Sequence, residues 1–415
     1  MSSLSVISLL TGFLTAMVVI SEFPSSSSSN GDDPPKKPQQ SQKKPQEEED
    51  KSKQIITQQE NHLSFFSPIP QELIEACLSL IPRRDYPTIS LVSRYFRRLI
   101  ASSSLYQHRS LLNITDSVLY AFVGFPPFDY PRWFILHRNR NQSNSLQLRI
   151  IDTLQHFPFG SALVTIGQKM YVLGGCDGYR ERTNGVFLMD CRTHRRRELR
   201  HMRGARYRAA VGVIDGKIYV IGGREKRYPD WVEVLDLKTG IWSSLIGPFP
   251  LGAREGEFET YVVMQQKIYL LDYSSCLSYE PRTRNWESCG MLREFWQRSS
   301  CVVDDMLYTI DPQFRLGSLV IVYDPREMNW RSVNVVGDLP HLFYYDSKMA
   351  NFGGKLVILG TSQGRYTPGI KDICCVVIAL EKRENGEIRG NVELVECVLT
   401  ALSSPSIELC RTITF

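Results

Sequence analysis

Residues 211–242 read VGVIDGKIYVIGGREKRYPDWVEVLDLKTGIW. Val211–Ile214 and Lys217–Ile221 are β-rich runs joined by Asp215-Gly216, a dipeptide that tolerates the positive φ of a tight hairpin. Gly222-Gly223 ends the second run where a side chain would obstruct a close backbone turn. A polar loop follows. Trp231–Leu237 makes a third strand, the stretch Asp236 to Gly240 turns, and Ile241-Trp242 opens a fourth. Four short antiparallel strands cannot bury a face alone, so copies are expected beside them.

The copies stand on both sides. An acidic residue, a Thr three positions on and a Trp three further recur as Asp236/Thr239/Trp242 and Glu280/Thr283/Trp286. Asp324/Glu327/Trp330 continues the series, and Asp190/Thr193/Arg196 precedes it with arginine in place of tryptophan. The acidic positions lie 46, 44 and 44 residues apart. The strand before each turn recurs as Lys169–Gly175, Lys217–Gly223 and Lys267–Leu271, and more weakly as Met306–Ile310 and Lys355–Gly360. Gly-Gly after an apolar strand, with Tyr before it and Trp after the third strand, resembles the kelch repeat of β-propellers. The resemblance covers five repeats from about Phe159 to the C-terminus. Two of them carry Leu271-Asp272 and Ile310-Asp311 where the glycine pair is expected. It implies a five- or six-bladed all-β propeller over residues 156–415, with each Trp packing between blades. Truncating such a Trp to Ala costs about 3–5 kcal/mol.

Upstream, residues 65–112 have a helical period. Leu73, Ile74, Cys77, Leu78 and Ile81 fall at i, i+1, i+4, i+5 and i+8, and Pro82 stops the helix. A second helix follows Tyr86-Pro87 with Ile89, Leu91 and Val92, and a third runs Arg94–Ala101 with Tyr95, Phe96, Leu99 and Ile100. So small a module, apolar on more than one face, is expected to need a partner. Ile69-Pro70, Glu72-Leu73-Ile74, Ile81-Pro82, Leu91-Val92-Ser93, Phe96-Arg-Arg-Leu99-Ile100 and then Leu105-Tyr106 together resemble an F-box, with Ile-Pro in place of the usual Leu-Pro opening. The resemblance implies docking to a Skp-type adaptor, and through it to the cullin and RING subunits of an SCF ubiquitin ligase. Pro70, Leu73, Ile74, Leu78, Pro82, Leu91 and Val92 are the expected adaptor contacts; Phe96 and Leu99 are expected to hold the helices together.

Residues 113–155 join the two modules. Ser117–Phe122 and Trp133–His137 read as strands, and the terminal run Ile407–Phe415 is their natural partner, because a propeller must close to protect its edges. F-box/kelch proteins of plants resemble the chain in this segment too. Residues 1–60 hold an uncharged stretch, Leu4–Ile20, at the short limit of a membrane span, and then a Ser-, Pro-, Lys- and Glu-rich tether expected to be disordered. The stretch leaves a membrane tether open against a secretory signal or an unstructured leader. Cytoplasmic or nuclear residence fits ten scattered cysteines without metal spacing.

Catalytic residues are not expected. The seven histidines show no metal spacing, and neither a nucleophile elbow nor a phosphate loop is complete. No metal or cofactor is expected, although a metal-dependent propeller enzyme and a non-degradative F-box scaffold stand as alternatives to a substrate receptor. The net charge of +5 is mild and does not indicate a nucleic-acid partner. Much of it sits in residues 192–208, with eight arginines against Glu198. That run reads either as a surface for acidic partners or as a solvated turn with Arg196 stacked where the other repeats place Trp. Arg206, Arg254 and Arg293 lie 13, 15 and 15 residues before Tyr219, Tyr269 and Tyr308. Similar phase makes them candidates for a guanidinium ring that binds an acidic segment of a target, with ion pairing between blades as the alternative. The target itself is not legible in the chain.

Overall fold

The computed structural model describes residues 70–125, 129–138, 145–154, 157–177, 181–224, 230–247, 256–363, 371–384, 386–401 and 404–415. Two compact units divide the chain, one ending at Ile114 and the other beginning at Thr115.

The first unit holds α1 (Gln71–Ser79), α2 (Tyr86–Val92), α3 (Arg94–Ala101) and α4 (Ser103–Leu111), with a 3-10 turn at Arg83–Asp85. The fourth helix was not expected from the apolar spacing. It exists because Ser102 is extended and its hydroxyl accepts from the Leu105 amide at 3.4 Å, starting a new helix where α3 would otherwise run on. Ser93 makes the same break between α2 and α3, accepting from the Phe96 amide at 3.2 Å. Leu78, Tyr86, Ile89, Leu99, Ile100, Leu105 and Tyr106 form the interior.

Six sheets make up the described part of the second unit. The repeat at residues 211–242 is one blade: β8 (Ala210–Ile214), β9 (Lys217–Ile221), β10 (Val232–Asp236) and β11 (Trp242–Leu245), in that order outward. Asp215 and Gly216 turn it at φ +50° and +70°, the double left-handed geometry of a two-residue hairpin. Gly222 and Gly223 have φ near +70°, and a Cβ on either would collide with a backbone carbonyl, Gly256 O or Tyr207 O. The flanking blades are β4–β7 (Ala162–Ile166, Lys169–Leu173, Val186–Asp190, Arg195–Glu198) and β12–β15 (Thr260–Met264, Lys267–Leu271, Cys276–Glu280, Asn285–Ser288). β16–β19 (Ser300–Val303, Met306–Ile310, Val320–Asp324, Asn329–Ser332) make the next, after the short helix α5 (Gly290–Arg293).

The last two sheets carry the closure. β21 (Lys348–Phe352), β22 (Lys355–Gln363), β23 (Lys371–Lys382) and β24 (Ile388–Ala401) form one blade, with β20 (Asn334–Val336) added in parallel at its edge. The other is built from both ends of the unit: β25 (Ser406–Thr414) pairs antiparallel with β1 (Ser117–Phe125), followed by β2 (Asp129–Arg138) and β3 (Leu146–Ile150). Ser117 faces Thr414 and Ala121 faces Cys410 in that ladder. Asp116 and Phe415 exchange both backbone hydrogen bonds at 2.9 Å. Leu119, Ala121, Val123 and Phe134 then pack against Val357, Leu359, Ile373 and Cys375, so the first and last blades share one apolar core. The propeller has six blades.

Where the repeats differ, the substitutes are physical equivalents. Trp242, Trp286 and Trp330 face Leu235, Tyr279 and Tyr323 across their ladders, and Arg196 faces Met189 at the same point. Its guanidinium lies 3.7 Å from the Phe187 ring centroid, a cation–π contact in the tryptophan position. Asp272 and Asp311, standing where other blades have glycine, are buried and turn the chain with their carboxylates. Asp272 accepts from the Ser274 amide at 2.7 Å, and Asp311 from the Arg315 amide at 2.7 Å.

Candidate functional site

On the helical unit, the residues expected to meet an adaptor divide by burial. Leu73 on α1 is 58% exposed, and Leu91 and Val92 at the end of α2 are 76% and 48% exposed. Pro70 and Pro82 are exposed as well, and Ile74 is half-buried. Leu78 is a correction: only 4% of it reaches solvent, because it occupies the inward side of α1 among the other core residues. Leu99 is equally buried and Phe96 half-buried, in keeping with a role in holding the helices. Leu80, Leu111 and Leu112 are exposed too, and none of them was singled out from the sequence. They sit at helix ends, where the apolar period no longer reports the buried face. Covering a Leu or Val side chain contributes about 1.5–3 kcal/mol.

Arg109 braces the helical unit from within. It is 2% exposed, and its guanidinium donates to the carbonyls of Ser79 (2.7 Å), Ile81 (2.8 Å) and Ile114 (2.7 Å). Two of those acceptors lie at the end of α1 and just beyond it, where helix carbonyls lack intrahelical partners. A charged residue at such a position carries no periodic signal, so sequence reasoning passed over it.

Of the three arginines proposed as a ring on the propeller, the two that are described, Arg206 and Arg293, do not occupy equivalent points: one is buried and the other exposed. Arg206 is wholly buried. Its guanidinium donates to Glu233 Oε1 at 2.9 Å (Nη2) and 3.2 Å (Nε), and to the carbonyls of Gly222, Trp231 and Asp230. Glu233, also fully buried, accepts in addition from the Arg203 and Gly204 amides at 2.7 and 3.0 Å. Burial pulls the Arg206 pKa down, and the Glu233 carboxylate opposes it. The guanidinium is spent inside the fold and is not offered to a target, which corrects its assignment as a target contact. Arg254 lies outside the described residues. The position matching Arg206 is Gly256, since both carbonyls accept from the second glycine of the preceding blade, Gly175 and Gly223. Arg293 is exposed on α5 and donates to Tyr273 O at 2.9 Å.

The innermost strands β25, β4, β8, β12, β16 and β21 surround a central cavity of about 550 Å³. Arg208, Glu259, Arg298, Lys348, Glu408 and Arg411 line it together with aromatic residues. Arg298 grips Glu259 with both ends of its fork, at 2.9 and 3.1 Å, and donates to Tyr273 Oη at 3.1 Å. Burial pulls the Lys348 amine down, with Glu408 opposing. In the basic run, Arg192 is paired with Asp190 at 2.6 Å and Arg196 stacks on Phe187, while Arg195, Arg197, Arg200 and Arg203 point to solvent. Among the described residues no three His, Cys, Asp or Glu side chains gather as metal ligands, and no helix is long and apolar enough to cross a membrane. Leu4–Ile20 lies outside the described residues.

The chain thus joins a helical module with exposed apolar residues to a closed six-bladed propeller of kelch type. Residues 66–108 match the F-box domain model, and residues 133–399 match that of the FKB95, Kelch-repeats domain. The chain is similar to a kelch repeat-containing protein of Arabidopsis thaliana, 49% identical over 358 residues that cover 84% of this chain and 86% of the relative. An F-box/kelch-repeat protein of the same plant is 46% identical over 365 residues, covering 86% and 94% of the two chains. Another is 44% identical over 353 residues, covering 83% and 85%. The chain belongs to the F-box/kelch-repeat family.

Proposed function

We propose that this protein is the substrate-recognition subunit of an SCF-type cullin–RING ubiquitin ligase. The observation that carries the reading is the exposure of Leu73, Leu91 and Val92 on a helical unit that matches the F-box. Pro70, Ile74 and Pro82 complete the proposed adaptor contact, and the propeller loops and channel mouth, with Arg293 at their edge, hold a target protein. The receptor contributes proximity: binding one partner on each unit raises the effective concentration of target lysines near the ubiquitin-charged E2. The E2 and RING components perform the covalent steps, so the chain itself acts as a non-catalytic subunit. This reading assigns it to the cytoplasm or nucleus, where thiols stay reduced.

The test is ubiquitin transfer in an assembly reconstituted from this chain, a Skp-type adaptor, cullin, RING subunit and E2, on proteins retained by the propeller. Transfer should fall at least about ten-fold in a Leu73→Ala/Pro82→Ala double variant with retention unchanged, a loss of about 1.4 kcal/mol or more in docking. Retention without transfer by the wild type would assign the chain to a non-degradative scaffold instead.

A further inference from the structure

Cys276 opens β14 and Cys289 directly follows β15, and the two strands pair with Leu277 opposite Ser288. One step along that register sets Cys276 opposite Cys289, and the Cys289 amide donates to the Cys276 carbonyl at 2.8 Å. Directly opposed residues of an antiparallel ladder share a face, with Cα atoms about 4.5–5.5 Å apart. A disulfide spans Cα separations of about 4.4–6.8 Å. Both thiols are free; Cys276 is buried and Cys289 half-buried, so one sulfur is shielded and its neighbour meets solvent. Their surroundings split the pair chemically. The hydrogen bond from Cys276, with help from Ser278 and the Lys267 ammonium, brings Cys289 down to about 7 against the opposing effects of burial and Glu287. Hydrogen bonding to Cys289 and burial hold the proton on Cys276, with Asp272 adding to the effect and Arg293 opposing it. Cys301, Cys375 and Cys397, by contrast, are pushed up by burial.

We propose that Cys289 and Cys276 are an oxidation site in which hydrogen peroxide converts the opposed thiols to a cross-strand disulfide. The Cys289 thiolate attacks one peroxide oxygen; the S–O bond forms, the O–O bond breaks, and the departing hydroxide takes up a proton as water. The Cys276 sulfur then attacks the sulfenic sulfur of Cys289; the S–S bond forms, the S–O bond breaks, and the Cys276 proton leaves with the hydroxide as a second water. Two thiols and one peroxide give one disulfide and two waters. The bond ties together the segments on either side of it. Asp272 and Tyr273 on one side, and Gly290, Arg293, Glu294 and Trp296 on the other, line a cavity of about 460 Å³. Arg293 already bridges to the Tyr273 carbonyl there at 2.9 Å.

The experiment treats the full-length wild-type chain with hydrogen peroxide, alkylates it, digests it with trypsin and reads the peptides by mass spectrometry. The expected product joins residues 268–282 to 285–293 with two hydrogens lost, and a reductant releases it. Before oxidation, the iodoacetamide reactivity of Cys289 should rise with a midpoint near pH 7, where its thiolate fraction is about ten-fold above that of an ordinary thiol. In Cys276→Ser, dimedone should trap the sulfenic acid on Cys289. The proposal is overturned if Cys289 oxidises to the sulfinic acid while Cys276 stays alkylatable. It is overturned as well if Cys397 reacts and this pair does not, or if the Cys289 midpoint lies at an ordinary thiol's value.

Discussion

Four of the five hairpins joining the first two strands of the kelch repeats turn with both central residues at positive φ, but not with one chemistry. Asp215-Gly216 announces its turn in the sequence; Gln265-Gln266 turns at φ +49° and +58°, and Asp304-Asp305 at +49° and +61°, with no glycine. Side chains in that region strain the backbone, so these turns are held by the strands they join. Gln266→Gly should therefore stabilise the protein by about 0.5–1 kcal/mol, read as a rise in the thermal midpoint. Arg206 shows the opposite relation. Its phase relative to Tyr219 pointed toward a shared position with Arg254, but equivalence is set by the carbonyl that meets the glycine pair, and by that measure its counterpart is Gly256. Removing one partner of a fully buried ion pair leaves an uncompensated charge. Arg206→Met should cost about 3–5 kcal/mol in chemical denaturation, and Arg206→Met/Glu233→Leu should recover part of the loss. A target-binding arginine would instead lose affinity with stability unchanged.

At the level of elements, strands were legible wherever apolar alternation met a turn signal, which is why β8 to β11 follow the quoted stretch closely. The less regular parts have specific causes. Asp272 and Asp311 replace the glycine pair by capturing backbone amides, a solution that depends on side-chain geometry and leaves no repeat in the sequence. In the helical unit the apolar period identified α1 but not which of its leucines faces inward: Leu73 and Leu78 look alike in the pattern, yet one is exposed and the other buried. The proposed docking contact falls to the exposed member. Leu91→Asp on α2 should leave the unfolding free energy within roughly 0.5 kcal/mol of wild type in chemical denaturation, as for other surface changes. Its adaptor affinity should fall by about 2 kcal/mol or more in a binding titration. Arg109→Ala, remote from that role, should destabilise the helical unit by about 3 kcal/mol, because three carbonyls lose a charged donor.

Across the whole molecule, the repeats left open whether five or six blades are present. The sixth is assembled from β25 and the joining strands β1 to β3, and the kelch family match at residues 133–399 takes in neither β1 nor β25. Closure is what protects the first and last blades from edge pairing. A chain ending at Pro405 should lose cooperative unfolding and aggregate in size-exclusion chromatography, since it removes the partner of β1 and opens the shared core. The central functional claim rests on the helical unit, and calorimetric titration of the full-length chain with a purified Skp-type adaptor tests it most directly. The account predicts saturable one-to-one binding that Leu73→Asp/Leu91→Asp weakens at least about ten-fold with helix content intact, a loss of about 1.4 kcal/mol or more. A folded wild-type chain that releases no heat and retains no adaptor would contradict it.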